Sequence, residues 1–173
     1  MRIISGIFKH RLIKTVGNEI RPTSDLVRQS LLNILQSVEN YHVLDLFAGA
    51  GGIGIECISR GAKEVTFNDI NGSSLKVIKE NLESLGILNY SFSKKDALLY
   101  LKETLEKYDL IYVDPPYAYL DYLKIHEEIL KREILNEKGI IVYEMDYKNT
   151  QLETLALKTY KYGKTKLVIF KKD

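Results

Sequence analysis

Val43-Leu44-Asp45-Leu46-Phe47-Ala48-Gly49-Ala50-Gly51-Gly52-Ile53-Gly54 decides how the rest of the chain is read. An apolar run breaks into a loop where Gly49, Gly51 and Gly54 hold the spacing G-x-G-x-x-G, and apolar residues resume through Ile58. Strand, tight turn and helix is the order this spacing needs before it carries meaning. The glycines permit the turn and let backbone approach a ligand with no Cβ between. Asp69 follows about twenty residues on, just past the next apolar run, where a carboxylate can accept both hydrogen bonds of a ribose diol. The loop alone does not separate a dinucleotide from S-adenosylmethionine, because both bring an adenosine to the same crevice. Asp45 favours the second, since an acid there can meet an ammonium group and would repel a pyrophosphate.

Outward from the loop, strands and helices alternate. The predicted strands are Val43 to Phe47, Glu64 to Phe67, Tyr90 to Ser93, Leu110 to Val113 and Ile140 to Tyr143. Between them the spacing predicts helices over Ile53 to Ile58, Ser73 to Leu85, Leu98 to Leu105 and Leu123 to Leu130. Arg21-Pro22-Thr23-Ser24-Asp25 reads as a helix start, with a hydroxyl cap and an acid in the first turn. Val27, Leu31, Ile34, Leu35 and Val38 then give one apolar face. Leu155 to Tyr162 and Lys164 to Phe170 read as a final pair of strands turning at Gly163. Such alternation predicts a Rossmann-like α/β fold, with a mostly parallel seven-stranded sheet, helices on both faces and an antiparallel C-terminal edge. Ligands bind such sheets at the carboxyl ends of the strands. Asp45, Asp69, Asp96 and Asp114 all fall there. Asp96 reads equally as an acceptor for an adenine amino group and as the cap of the helix beginning at Ala97.

Asp114-Pro115-Pro116-Tyr117 follows the fourth apolar run. Two prolines end the strand and stiffen the corner. A rigid corner holds the Asp114 carboxylate and the Pro115 carbonyl as two fixed acceptors, which suits the two donors of an –NH2 group. A base's exocyclic amine is a poor nucleophile, because its lone pair is delocalised into the ring. Accepting both amine protons frees that lone pair for in-line attack on a methyl carried by positively charged sulfur. Asp114 also stabilises the positive charge developing on nitrogen. Tyr117 offers a ring for the base to stack on, worth roughly 1–3 kcal/mol. Pro116 completes the corner.

Other features bound the possibilities. The chain has 173 residues, the size of one ordinary domain, so the expected organisation is a catalytic core over 21–173 preceded by an arm over 1–20. One cysteine, Cys57, allows no internal disulfide and favours a reducing, cytoplasmic setting. Cys57 reads as a small buried residue. His10, His42 and His126 are too scattered for a metal site, so none is expected. Net charge is only +2, but basic residues gather at both ends. Arg2, Lys9, Arg11, Lys14 and Arg21 make the first segment a candidate RNA-binding arm, drawn as a hairpin or loose arm turning at Gly17-Asn18. Arg28 and Glu144 read equally as functional or structural.

With the glycine loop and the double-proline corner in place, the sequence resembles the RsmD family of 16S ribosomal RNA guanine-N2 methyltransferases. Arg2-Ile3-Ile4-Ser5-Gly6, Arg21-Pro22-Thr23-Ser24-Asp25, Val27-Arg28, Asp45 to Gly51, Ser59-Arg60-Gly61-Ala62, Asp96-Ala97 and Asp114 to Tyr117 carry the resemblance. It implies S-adenosylmethionine as cofactor, bound through Asp45, Phe47, Gly49, Gly51, Gly54, Asp69 and Asp96. It implies as substrate a guanine of small-subunit rRNA, position 966, within an assembled or assembling subunit. It implies no membrane partner. The family often has glycine where His10 stands. The competing reading is a DNA adenine-N6 methyltransferase, for which a chain this short leaves little room for a target-recognition domain. A dinucleotide oxidoreductase would leave Asp114 to Tyr117 without work.

Overall fold

The computed structural model describes residues 1–16, 25–116 and 118–173. Its strands are β1 (His42–Asp45), β2 (Glu64–Asn68), β3 (Tyr90–Ser93), β4 (Tyr108–Val113), β5 (Leu135–Asp146), β6 (Lys158–Tyr162) and β7 (Thr165–Lys171). Its helices are α1 (Asp25–Leu35), α2 (Gly52–Ser59), α3 (Gly72–Leu85), α4 (Ala97–Glu103) and α5 (Tyr122–Lys131). The strands form one sheet in the order β3-β2-β1-β4-β5-β7-β6. β1 to β5 pair in parallel, and β7 runs antiparallel to both β5 and β6.

Layering follows from the apolar runs. Val43, Leu44, Leu110, Ile111, Val113, Ile141 and Val142 are fully buried, as expected of central parallel strands covered on both faces. Val27, Leu31 and Leu32 of α1, Ile53 and Ile55 of α2, and Ile78 and Leu82 of α3 fill the core on one face. Ala97 and Leu101 of α4 and Ile125 and Ile129 of α5 fill the other. Strand order reverses between β1 and β4: the chain steps outward to β2 and β3, then returns to the opposite side of β1. Loops leaving the two neighbours diverge at this switch point and open a crevice there.

Part of the arm is described, and it is hairpin-like. The Gly17-Asn18 turn and Arg21 lie outside the described residues. The reversal that is described falls earlier, between Ile4 and His10, and an antiparallel bridge joins Arg2 to Leu12. The Ile3 N–H donates to the Arg11 carbonyl at 3.0 Å, and the His10 N–H donates to the Ile3 carbonyl at 2.9 Å. His10 has φ 70, the left-handed region glycine adopts freely and histidine tolerates better than most residues. The arm is bolted down rather than loose. Both Glu56 oxygens accept from the Ile4 N–H, one of them also accepts from Ser5, and the Ser59 Oγ–H donates to the Ser5 carbonyl. A Cβ on Gly6 would lie 1.8 Å from the Ser59 carbonyl oxygen, so only glycine passes α2 this closely.

Three other boundaries shift by about three residues or more. α1 stops at Leu35 because Gln36 turns left-handed, φ 60, and Val38 reaches the core from irregular backbone. β5 begins at Leu135 rather than Ile140: its pairing with β4 slips between Tyr108 and Leu110, and the turn-like Asn136 to Gly139 is absorbed as an irregularity. β6 begins at Lys158, after turns that bury Leu152.

Candidate active site

A cavity of about 620 Å³ occupies the crevice at the switch point, a volume usual for a small-molecule site. Asp45, Phe47, Gly49, Asp69, Asp96, Asp114, Pro115 and Pro116 all line it. Gly51 and Gly54 do not. They stand behind the wall, where a Cβ on Gly51 would come 2.9 Å from the Ile78 side chain and one on Gly54 2.2 Å from the Phe67 ring. These two glycines let α2 lie close against β2 and α3.

The loop is fixed by its acids. Asp45 is buried at the end of β1, and one of its oxygens accepts from the Gly54 N–H in the first turn of α2 at 3.1 Å. Burial raises its pKa to about 7; the Gly54 bond opposes the rise and the Asp69 charge adds to it. A buried carboxyl pushed toward neutrality at the edge of a cavity suits a positively charged ligand group. Asp69 accepts from the Gly49 N–H and the Asn71 N–H, each at 2.8 Å, which shapes both sides of the cleft. Asp96 accepts from the Leu99 N–H at 3.1 Å, so it caps α4 and lines the cavity at once. Both readings of Asp96 therefore remain compatible with its position. Asn68 anchors the floor, donating to the Leu46 and Lys95 carbonyls.

β4 delivers the double-proline corner to the opposite wall. The Leu46 N–H donates to the Tyr112 carbonyl at 3.0 Å, which carries the β1–β4 pairing past the end of β1. The Pro116 carbonyl accepts from the Tyr119 N–H at 2.8 Å and closes the corner. Asp114 is half-buried, Pro115 buried and Pro116 exposed. Tyr117 lies outside the described residues. The Tyr119 ring meets Phe47 edge-on, with centroids 5.3 Å apart, and meets Tyr122 at 5.9 Å. An aromatic lip thus joins the glycine loop to the proline corner. Burial, then Asp114, Glu144 and Asp146, push the Tyr122 hydroxyl above its ordinary pKa.

The cavity also takes in residues outside the glycine loop and the proline corner. Ile70, 69% exposed, offers an apolar surface directly after Asp69. Glu144 faces the cavity and accepts from the Tyr112 hydroxyl. Arg28 is fully buried. It donates to Asp25 at 2.5 Å and to the Arg2 carbonyl at 3.0 Å, and lies 3.6 Å from Glu56. It belongs to the lock that holds the arm. Arg2, Lys9, Arg11 and Lys14 are exposed, and Lys14 pairs with Glu80 at 2.8 Å. Cys57 is buried in the core. Among the described residues no group of acids, histidines and cysteine could hold a metal ion, and no helix is long and apolar enough to cross a membrane.

This sheet order and crevice define a Rossmann-like class I methyltransferase fold. Escherichia coli yhhF superposes on the whole chain with a TM-score of 0.89 at 24% identity, the chain covering 98% of it. The chain belongs to the RsmD family: the family model described as conserved hypothetical protein 95 matches residues 1–171. It is 35% identical to YlbH of Bacillus subtilis over 99% of each chain. It is 38% identical to ribosomal RNA small subunit methyltransferase D of Buchnera aphidicola, over 76% of this chain and 66% of that one. SMU.776, solved in complex with SAH, superposes on 84% of this chain with a TM-score of 0.71 at 20% identity, this chain covering 48% of it.

Proposed function

We propose that this chain transfers a methyl group from S-adenosylmethionine to the exocyclic N2 of a guanine in small-subunit rRNA. One observation carries the reading: the Asp114-Pro115-Pro116 corner and the acids Asp45, Asp69 and Asp96 line a single cavity. The residues fit the cofactor. A buried carboxyl short of a positive partner suits an α-ammonium, a strand-end acid suits a ribose diol, and an apolar side chain such as Ile70 suits an adenine face. Relatives named ribosomal RNA small subunit methyltransferase D support the choice of substrate.

In this reading Asp45 accepts from the ammonium group, Asp69 from the ribose and Asp96 from the adenine amine, while Phe47 and Gly49 shape the wall. S-adenosylmethionine, when bound, supplies a methyl group on positively charged sulfur. Asp114 and the Pro115 carbonyl orient the base by accepting its two amine protons. Asp114 then stabilises positive charge on the nitrogen, and the proton departs after transfer. No strong base is needed first, so positioning and fixed dipoles supply the rate. Tyr117 serves as the stacking ring, a role that rests on its place in the sequence. The Phe47–Tyr119 lip helps keep water out.

Arg2, Lys9, Arg11 and Arg21 hold RNA phosphates, with Lys14 a weaker contributor because Glu80 already engages it. The backbone of the described part of the arm is fixed, so Arg2, Lys9 and Arg11 are presented rather than loosely tethered. Incubating the protein with labelled cofactor and either purified small ribosomal subunits or duplex DNA tests the assignment. Label is expected in the subunit RNA. Label in DNA alone would make the chain a DNA adenine-N6 methyltransferase.

A further inference from the structure

The lysines near the C-terminus take different places in the fold. Lys166 is fully buried and pairs with Glu153 at 2.5 Å. Lys161 stands opposite Lys166, and its charge also acts on Glu153. Lys172 donates to the Leu135 carbonyl at 3.0 Å, and Lys171 is in register with Ile140, both toward the amino ends of the parallel strands. Lys158 lies 5.0 Å from the centroid of the Tyr160 ring and is in register with Ile169. Lys164 is placed otherwise. It immediately precedes Thr165, which is in register with Asp146 and lines the catalytic cavity.

A second lysine joins Lys164 there. Glu144, Met145 and Asp146 end β5 and line the cavity, and Tyr147 and Lys148 follow them. The Tyr147 N–H donates to the Lys164 carbonyl at 3.1 Å, which ties this loop to the β6–β7 turn. The Lys148 N–H donates to Asp146 Oδ1 at 2.8 Å, which fixes the loop's course. Tyr147, Lys148 and Lys164 are exposed, and Lys148 Nζ lies 5.6 Å from the centroid of the Tyr147 ring. Among the described residues neither lysine belongs to an ion pair. Asp146 is the acid beside them, half-buried and facing the cavity.

A nucleotide whose base is extruded into a pocket keeps its backbone at the mouth of that pocket. Single-stranded RNA is held by cations that track the backbone and by aromatic rings on which bases stack. This rim supplies both. Its position also complements the arm. The glycine loop follows β1, the proline corner follows β4, and the turn leading into β7 lies beyond β5. The arm packs on α2, which follows β1.

We infer that the β6–β7 turn and the loop after β5 form a second RNA contact, in which Lys148 and Lys164 hold phosphates beside the target nucleotide and the Tyr147 ring stacks on a neighbouring base. The inference rests on the RNA-methyltransferase reading and adds to it a surface on the other side of the proline corner from the arm.

Small subunits purified from cells lacking this gene serve as substrate for the wild type and for three variants. The double variant Lys148→Ala, Lys164→Ala is expected to raise KM at least about fivefold with kcat within about twofold, the pattern of lost uniform binding. Its slope of log affinity against log salt should fall by roughly 1.4–1.8, for two phosphates no longer neutralised. Melting temperature and S-adenosylhomocysteine affinity should match the wild type. Lys158→Ala, Lys171→Ala removes the same charge from elsewhere on the hairpin and should leave KM and salt slope unchanged. Tyr147→Ala should lower kcat/KM at least about fivefold, while Tyr147→Phe keeps it within about twofold, because stacking needs the ring and not the hydroxyl. A wild-type salt slope and KM in Lys148→Ala, Lys164→Ala, or equal losses in both double variants, would overturn the rim as an RNA contact while leaving the RNA reading intact. No methylation of subunit RNA by the wild type would overturn that reading and the rim with it.

Discussion

Asp45 ties the chemistry of the site to its titration. Its pKa of about 7 stands above the ordinary 3.8 because burial penalises the charge. The neutral form thus favours folding fully below pH 3.8, and that contribution is lost as pH rises toward about 7. Replacing Asp45 with Asn is expected to flatten the melting temperature of the ligand-free protein across that window, read by calorimetry at several pH values. The ionised form pairs with an ammonium group far more strongly than the neutral form, which offers a hydrogen bond but no charge. S-adenosylhomocysteine should therefore bind near pH 6 with release of about one proton, and its affinity should rise with pH and level off above about 7. Titrations in two buffers of different ionisation enthalpy read that proton directly; equal heats in both would contradict the role of Asp45. The four aspartates were legible in the sequence because each ends a strand, where a doubly wound sheet keeps its ligands. Glu144 and Arg28 were legible only as open cases, since their partners are Tyr112 across a strand pair and Glu56 on another helix. Gly51 and Gly54 read as ligand contacts, yet their closeness to Ile78 and Phe67 is visible only in three dimensions.

At the scale of elements, the arm shows what tertiary contacts add to local signals. The Gly17-Asn18 turn signal lies outside the described residues, while the described reversal between Ile4 and His10 is held by Glu56 and Ser59, which take up its backbone groups. Glu56→Ala would leave the fully buried Arg28 short of a carboxylate, and breaking such a pair costs about 3–5 kcal/mol. A lowered melting temperature is expected, with faster hydrogen exchange at the Ile4 and Ser5 amides. Unchanged exchange there would mean that Glu56 does not anchor the arm. Reversing the charge of Lys9 and Arg11 should weaken RNA binding without changing the melting temperature. It should also reduce the slope of log affinity against log salt by roughly 0.7–0.9 for each phosphate that is no longer neutralised. A slope equal to the wild type would remove the arm from the RNA interface. Strand limits were legible where side-chain character marks them, as in Tyr90–Ser93, where aromatic residues alternate with serines. They were not at Leu135, where Asn136 to Gly139 looks like a turn and β5 absorbs it.

For the whole molecule, alternation of strands and helices predicted the layers, and the antiparallel tail completes the sheet through β7. The switch between β1 and β4 concentrates function: a loop that follows β1 and a corner that follows β4 face each other across one cavity although they are far apart in sequence. Sequence could place each on a strand end but not show the pair of walls meeting. The aromatic contact of Phe47 with Tyr119 arises from that meeting. The most direct test of the account is the nucleoside composition of small-subunit rRNA, by mass spectrometry, in cells lacking this gene and in the same cells given the wild type or Asp114→Asn. The account predicts one missing N2-methylguanine, restored by the wild type and not by the variant, even though the purified variant still binds S-adenosylhomocysteine. Full restoration by Asp114→Asn, or an unaltered set of N2-methylguanines in the deletion, would contradict it.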